Sequence, residues 1–170
     1  LESIYRNLLS SFGAELVSGR GKIVGPHQVS VNGREISGET ILVATGGTPN
    51  IPDIPGLRQY AITSTQALDL DNLPDRIIVY GAGYIALEFA GIFNGFGSEV
   101  HLVYRGDLPL RGFDDDIRQH MAEALANRGI HTHHGATITA IHPDDKKISV
   151  ELNNGQVIQS EQILAATGRV

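Results

Sequence analysis

Apolar residues recur at helical spacing over residues 1–12 (Ile4, Leu8, Leu9) and again over 117–128 (Met121, Ala124, Leu125). Each stretch ends at a glycine suited to the position just past a helix, Gly13 or Gly129. Each predicted helix leads into a short β-prone run, 14–18 or 130–134, and then a further glycine, Gly19 or Gly135. Beyond each lies Asn-Gly between β-prone runs. This is the two-residue hairpin signal, since a type I′ turn needs positive φ at both central residues. Residues 29–31 with 34–36 form the first predicted hairpin, and 148–152 with 156–158 the second. A short apolar strand follows each, 41–44 and 163–166, ending in Thr-Gly. Those glycines either end the strand or let its backbone approach a ligand closely.

The two series share one register. Asn32-Gly33, Ile36, Glu39, Ile41-Leu42 and Ala44-Thr45-Gly46 match Asn154-Gly155, Ile158, Glu161, Ile163-Leu164 and Ala166-Thr167-Gly168, each pair 122 residues apart (Gly33 to Gly155). That spacing is too long for a solenoid repeat and predicts a domain-sized unit that occurs twice. Between the copies, residues 48–56 (TPNIPDIPG) carry three prolines, which mark a connector. Ser64 is a candidate cap for one helical turn over 64–68.

Between the connector and the second copy lies a different pattern. Arg76–Tyr80 is a continuous apolar run, as in a strand buried on both faces. Gly81-Ala82-Gly83-Tyr84-Ile85-Ala86 follows, then a periodic apolar stretch (Ile85, Leu87, Phe89, Ile92, Phe93, Phe96), then a second strand at Glu99–Tyr104. This is G-x-G-x-x-A between strand and helix. Gly81 permits the tight turn, Gly83 lets backbone approach a pyrophosphate, and Ala86 allows close helix–strand packing. The phosphates then meet free N–H groups at the positive end of a helix. At the end of the second strand, where an acidic residue would take the ribose 2′-hydroxyl of NAD, the chain has Tyr104 and Arg105, with Arg111 six residues on. A guanidinium pair suits a 2′-phosphate. The alternative is two surface arginines that lie near Asp107 and the acids at 114–116.

Composition narrows the function. Apolar residues make up 41% and charged residues 19% of the 170, the profile of a globular chain. The formal charge of −6 argues against a general nucleic-acid binder. No apolar run approaches the roughly 18 residues that span a membrane, and no leader pattern opens the sequence. The chain begins at Leu1 and not at Met, as a piece of a longer protein would. It has no cysteine, which excludes disulfides, thiolate zinc sites and Cys nucleophiles within these residues. His131 and His133 share one face of a predicted strand, within reach of a common metal. No carboxylate partner is evident from spacing, so they read as edge histidines. Asp114 reads as the cap of the helix that follows, which leaves the acids at 114–116 to favour its dipole and not to bind magnesium. Residues 144–147 read as a charged hairpin turn.

Four stretches, GAGYIALEFAG (81–91), HLVYRGDLPLRGFD (101–114), ATGGTPNIPDIPG (44–56) and ATGRV (166–170), resemble the flavin-dependent pyridine-nucleotide disulfide oxidoreductases. The resemblance covers essentially the whole chain and is nearest to the glutathione reductase branch. Residues 110–114 also resemble trypanothione reductases. Lipoamide dehydrogenases, which use NAD, typically carry an acid at the position of Tyr104.

The resemblance implies an α/β fold: a Rossmann-like parallel sheet with a β-meander crossover at 137–158, plus a partial FAD-domain segment. Residues 1–47 would belong to the FAD domain, 48–167 would be the NADPH-binding domain, and 168–170 would begin the return to FAD. Gly81, Gly83, Tyr84, Ile85 and Ala86 would line the NADPH path, with Arg105 and Arg111 on its 2′-phosphate. Tyr84 would cover the flavin until nicotinamide displaces it, and Glu88 would pair with a lysine outside this chain. Thr45, Gly46, Gly168 and Arg169 would approach the flavin. The parent would be a cytoplasmic homodimer that reduces glutathione disulfide through FAD and a cysteine pair, with no nucleic-acid or membrane partner. That pair, the FAD-pyrophosphate glycines and a His–Glu pair would lie outside these residues. No catalytic residue is therefore expected in the chain, which alone is expected to be inactive and to retain no FAD. A non-catalytic NADP-binding module, another disulfide reductase and a flavin diaphorase are the alternatives.

Overall fold

The computed structural model describes residues 2–145 and 147–170; Leu1 and Lys146, which the first predicted helix and the 144–147 turn include, lie outside them. The chain divides into two compact units, Leu1–Gly46 and Gly47–Val170.

The first unit holds α1 (Glu2–Ser11) and an antiparallel sheet of β1 (Gly21–Gly25), β2 (Gln28–Val31) and β3 (Arg34–Ser37) in that order. Asn32 and Gly33 have φ of 50° and 82°, so the predicted type I′ turn joins β2 to β3. Gly13 ends α1 at φ 73°. Helix α1 has its apolar side chains at the expected spacing but buries none of them, and Val31 is the one buried residue described in this unit. Residues 14–18 and 41–44 are irregular, where the sequence predicts strands. A strand exists only through a partner's hydrogen bonds. Their counterparts in the second unit have partners, as follows.

The second unit is built on a five-stranded sheet in which every pairing is parallel, ordered β4-β11-β5-β6-β7. Its strands are β4 (Ala61–Ile62), β5 (Arg76–Tyr80), β6 (Glu99–Tyr104), β7 (His131–His134) and β11 (Gln162–Ala165). Helices α4 (Tyr84–Gly95) and α5 (Asp115–Asn127) cover one face. There Ile77, Val79, Val100 and Leu102 pack with Ala86, Phe89, Phe93 and Leu125. The other face, with Ile78, Tyr80, Val103 and Ile163, packs with Ile138, Ile141, Val150 and Leu152 of a three-stranded meander. That meander is β8 (Ile138–Asp144), β9 (Lys147–Leu152) and β10 (Val157–Ser160). Neighbouring residues of β5 therefore serve opposite cores, which is why RIIVY is apolar throughout.

Three details differ from the sequence reading. The second Asn-Gly does not form a two-residue turn. Leu152 and Gln156 pair across three residues, Gly155 donates to the Leu152 carbonyl at 3.0 Å, and Gly155 has φ 84° while Asn154 stays out of the left-handed region. This is a type I turn with a glycine bulge. The cap of the short helix α3 (Ser64–Ala67) is Thr63 and not Ser64, because Gln66 Oε1 reaches back to accept from the Thr63 N–H at 2.9 Å. Strand β4 lies within the stretch after the connector, where two residues pair with Ile163 and Leu164; α2 (Leu57–Tyr60) precedes it.

Candidate functional site

The C-terminal ends of β5, β6 and β11 open onto a cleft of about 520 Å³ in the second unit. Parallel strands flanking a helix N-terminus place ligand sites at this edge. Strand β5 delivers the chain to Gly81, whose N–H donates to the Val103 carbonyl at 2.9 Å. Gly81 has φ 132°, and a Cβ there would collide with the Ala166 carbonyl oxygen. The glycine is thus required by the backbone that follows β11. Gly83 differs. It is the N-cap of α4 at φ −78°, it is exposed, and a Cβ there would meet nothing within 4 Å. It caps α4 with no side-chain hydrogen bond, so the first-turn amides at the cleft receive no oxygen from the capping residue.

Arg105 and Arg111 both line the cleft, and both are exposed. Among the described residues neither forms an ion pair. Two of the acids nearby are engaged elsewhere. Asp114 Oδ1 accepts from the Asp116 N–H at 3.0 Å as the cap of α5, and Asp115 pairs with Arg118 at 2.6 Å.

The loop that carries Arg111 is tied down by contacts the sequence reading missed. Leu110, at φ 53° and buried, donates its N–H to the Ala82 carbonyl at 2.8 Å. Arg118 Nε donates to the Pro109 carbonyl at 2.9 Å. Arg118 sits three residues after Asp115, a spacing that predicts their pairing; nothing local predicts the Leu110–Ala82 bond.

Tyr84 lines the mouth of the cleft and is 58% exposed, and Ile85 lies beside it. Gly168 (φ 128°) and Arg169 form the opposite wall, where Arg169 donates to the Gly47 carbonyl. Thr167 Oγ1 donates to the Asn50 carbonyl at 2.7 Å, and residues 48–50 pair antiparallel with 168–170. Ala86, in the first turn of α4, is fully buried and serves helix–sheet packing. Glu88 is exposed on α4 and outside the lining. Thr45 and Gly46 are exposed irregular residues of the first unit.

Two buried phenols also line the cleft. Burial pushes the Tyr80 hydroxyl up, opposed by a backbone hydrogen bond from Ile138 and the charge of Arg105. Burial, with the negative charge of Asp107, pushes the Tyr104 hydroxyl up. Both remain neutral at pH 7, so Tyr104 offers no carboxylate-like acceptor to a ribose. An uncapped helix start, an open glycine and two unpaired guanidiniums fit a phosphorylated dinucleotide.

The family model described as pyridine nucleotide-disulphide oxidoreductase matches residues 1–170. The chain is 41% identical over 170 residues to a glutathione reductase of Burkholderia cepacia, covering 100% of this chain and 38% of the relative. It is 49% identical to the chloroplastic/mitochondrial glutathione reductase of Pisum sativum (99% and 31% covered) and 40% identical to a mercuric reductase of Bacillus cereus (97% and 27%). The solved structure of the HOCl-induced flavoprotein disulfide reductase RclA from Escherichia coli superimposes with a TM-score of 0.86 at 29% identity, over 99% of this chain and 39% of that one. The chain thus spans about a third of the length of the curated relatives it matches. Among the described residues no helix is long and apolar enough to cross a membrane. With the motif matched end to end and the fold shared with a flavoprotein disulfide reductase, the chain belongs to the pyridine nucleotide-disulphide oxidoreductase family.

Proposed function

We propose that this chain is the NADPH-binding part of a flavin-dependent disulfide reductase. The observation that carries the reading is the pair of unpaired arginines, Arg105 and Arg111, on the same cleft as the uncapped start of α4. Gly83 and the amides after it hold the pyrophosphate, Arg105 and Arg111 hold the 2′-phosphate, and Ile85 and Gly81 border the path between them. When bound, NADPH supplies a hydride. Tyr84 is exposed enough to swing aside and admit the nicotinamide. Glu88, Thr45, Gly46, Gly168 and Arg169 take the flavin-side roles that the family resemblance assigns.

In this reading 1–47 and 168–170 belong to the FAD-binding domain and 48–167 to the NADPH-binding domain. The pairing of 48–50 with 168–170 supports it, because a domain inserted in another is entered and left side by side. The parent would be a cytoplasmic homodimer that reduces glutathione disulfide, the reading favoured by the two glutathione reductase matches. A mercuric reductase is the second reading, and the match at 40% identity supports it.

Calorimetric titration of the 170-residue chain tests the nucleotide role. Saturable NADPH binding, at least about tenfold tighter than NADH and without retained flavin, is expected. Equal affinity for the two nucleotides, or none for either, contradicts the proposal.

A further inference from the structure

The other end of strand β6 carries a second group of chemically active side chains. Parallel pairing sets His101 of β6 opposite His131 of β7, with Val103 opposite His133. Glu99, two residues before His101, shares their face by strand alternation. The sequence reading found His131 and His133 but not the carboxylate, because only the β6–β7 pairing brings Glu99 beside them.

Glu99 Oε1 lies 3.1 Å from His101 Nε2 and 3.8 Å from His131 Nε2. One ligating atom from each of Glu99, His101 and His131 lies within 4.8 Å of the other two. A tetrahedral zinc ion at ordinary bond lengths has ligand atoms about 3.3 Å apart, so the two distances from Glu99 Oε1 are within about 0.5 Å of that spacing and the site needs only a small inward shift of His131. The rings of His101 and His131 stack at 4.8 Å between centroids.

The surrounding contacts have the form that supports metal ligands. Arg76 engages the far oxygen of Glu99, with Nε at 2.8 Å and Nη2 at 2.7 Å, and so fixes the carboxylate with Oε1 toward the imidazoles. His101 Nδ1 lies 2.9 Å from His133 Nε2. In the tautomer where Nδ1 donates to His133, the lone pair of His101 Nε2 is free for a metal, which replaces the proton otherwise shared with Glu99. His101 is mostly covered (13% exposed), whereas His131 at 56% is able to turn inward. Burial holds the His101 and His133 rings below their ordinary pKa, and Arg76 holds the Glu99 carboxyl low.

The geometry points to a divalent transition-metal site of the zinc class, with Glu99, His101 and His131 as ligands and His133 and Arg76 as positioning residues. Two imidazoles and one carboxylate suit zinc, with water completing the coordination. The site lies four to six residues before Arg105, about 13–20 Å along the strand from the nucleotide cleft. Bound there, the ion joins edge strand β7 to β6.

The test uses the untagged 170-residue chain, treated with chelator and titrated with zinc chloride without nucleotide. One ion per chain is expected. His131→Ala, at an exposed position, and Glu99→Gln should each weaken binding at least tenfold with the far-UV spectrum unchanged. His134→Ala, on the opposite face of β7, should leave it unchanged. Cobalt(II) in the same site should give the intense visible absorption of a four-coordinate ion, lost in His131→Ala. No saturable zinc binding overturns the proposal, as does binding that His131→Ala or Glu99→Gln leaves intact.

Discussion

Gly81 and Gly83 stand two residues apart in one motif and answer to different constraints. Gly81 is held by the fold, through its positive φ and the Ala166 carbonyl against it. Gly83 has an ordinary φ and open space, so the fold itself does not require a glycine there, and in the proposed reading the ligand does. Gly81→Ala should therefore destabilise the chain by about 2–4 kcal/mol in urea unfolding, combining backbone strain with overpacking. Gly83→Val should cost only about 1 kcal/mol of stability, the loss of a favoured N-cap residue, and roughly tenfold or more in NADPH affinity, since it screens the amides that would hold phosphate. A Gly83→Val chain that binds NADPH normally would contradict the assignment of the phosphate position. At the same scale, Tyr80 and Tyr104 have pKa values raised by burial. Their protons are held in the folded state after the unfolded chain begins to release them near pH 10. Stability from these groups is complete below pH 10 and is lost as pH rises toward the folded values. Urea midpoints should fall above pH 10, and the Tyr80→Phe, Tyr104→Phe double variant should flatten that fall; an identical alkaline profile for the variant would count against it.

At the scale of elements, one sequence pattern gives two outcomes. Residues 130–134 and 163–166 yield β7 and β11, because β6, β5 and β4 are there to receive their hydrogen bonds. Residues 14–18 and 41–44 carry the corresponding pattern and stay irregular. Helix α1 likewise forms while burying no side chain. We expect amides of α1 and β1–β3 to exchange far faster than those of β5 and β6, whose apolar residues are fully covered. Uniform slow exchange in a dilute, monomeric sample would contradict this. The elements that were legible in the sequence are those whose signals are local: the glycine loop of α4, the cap at Asp114 and the Asn32-Gly33 turn. The tether from Leu110 to Ala82, the strand at 61–62 and the approach of Glu99 to His131 depend on partners far away in sequence. No window of the chain displays them. The Asn154-Gly155 turn was misread for a related reason, since its three-residue loop is set by the Leu152–Gln156 pairing.

At the scale of the molecule, family membership and fold are established by the match over residues 1–170 and the shared architecture. In the proposed reading, the two exposed arginines that line the cleft are what would distinguish NADPH from NADH. Charge-assisted hydrogen bonds from both to one 2′-phosphate would contribute about 2–3 kcal/mol jointly, or roughly 30- to 150-fold in affinity, less than their simple sum because they would share an anion. The direct measurement is calorimetric titration of the Arg105→Met, Arg111→Gln double variant with NADPH and NADH at one ionic strength. The account predicts that NADPH affinity falls by that factor while NADH affinity stays within about twofold. Equal losses for both nucleotides, or no loss for either, would contradict it.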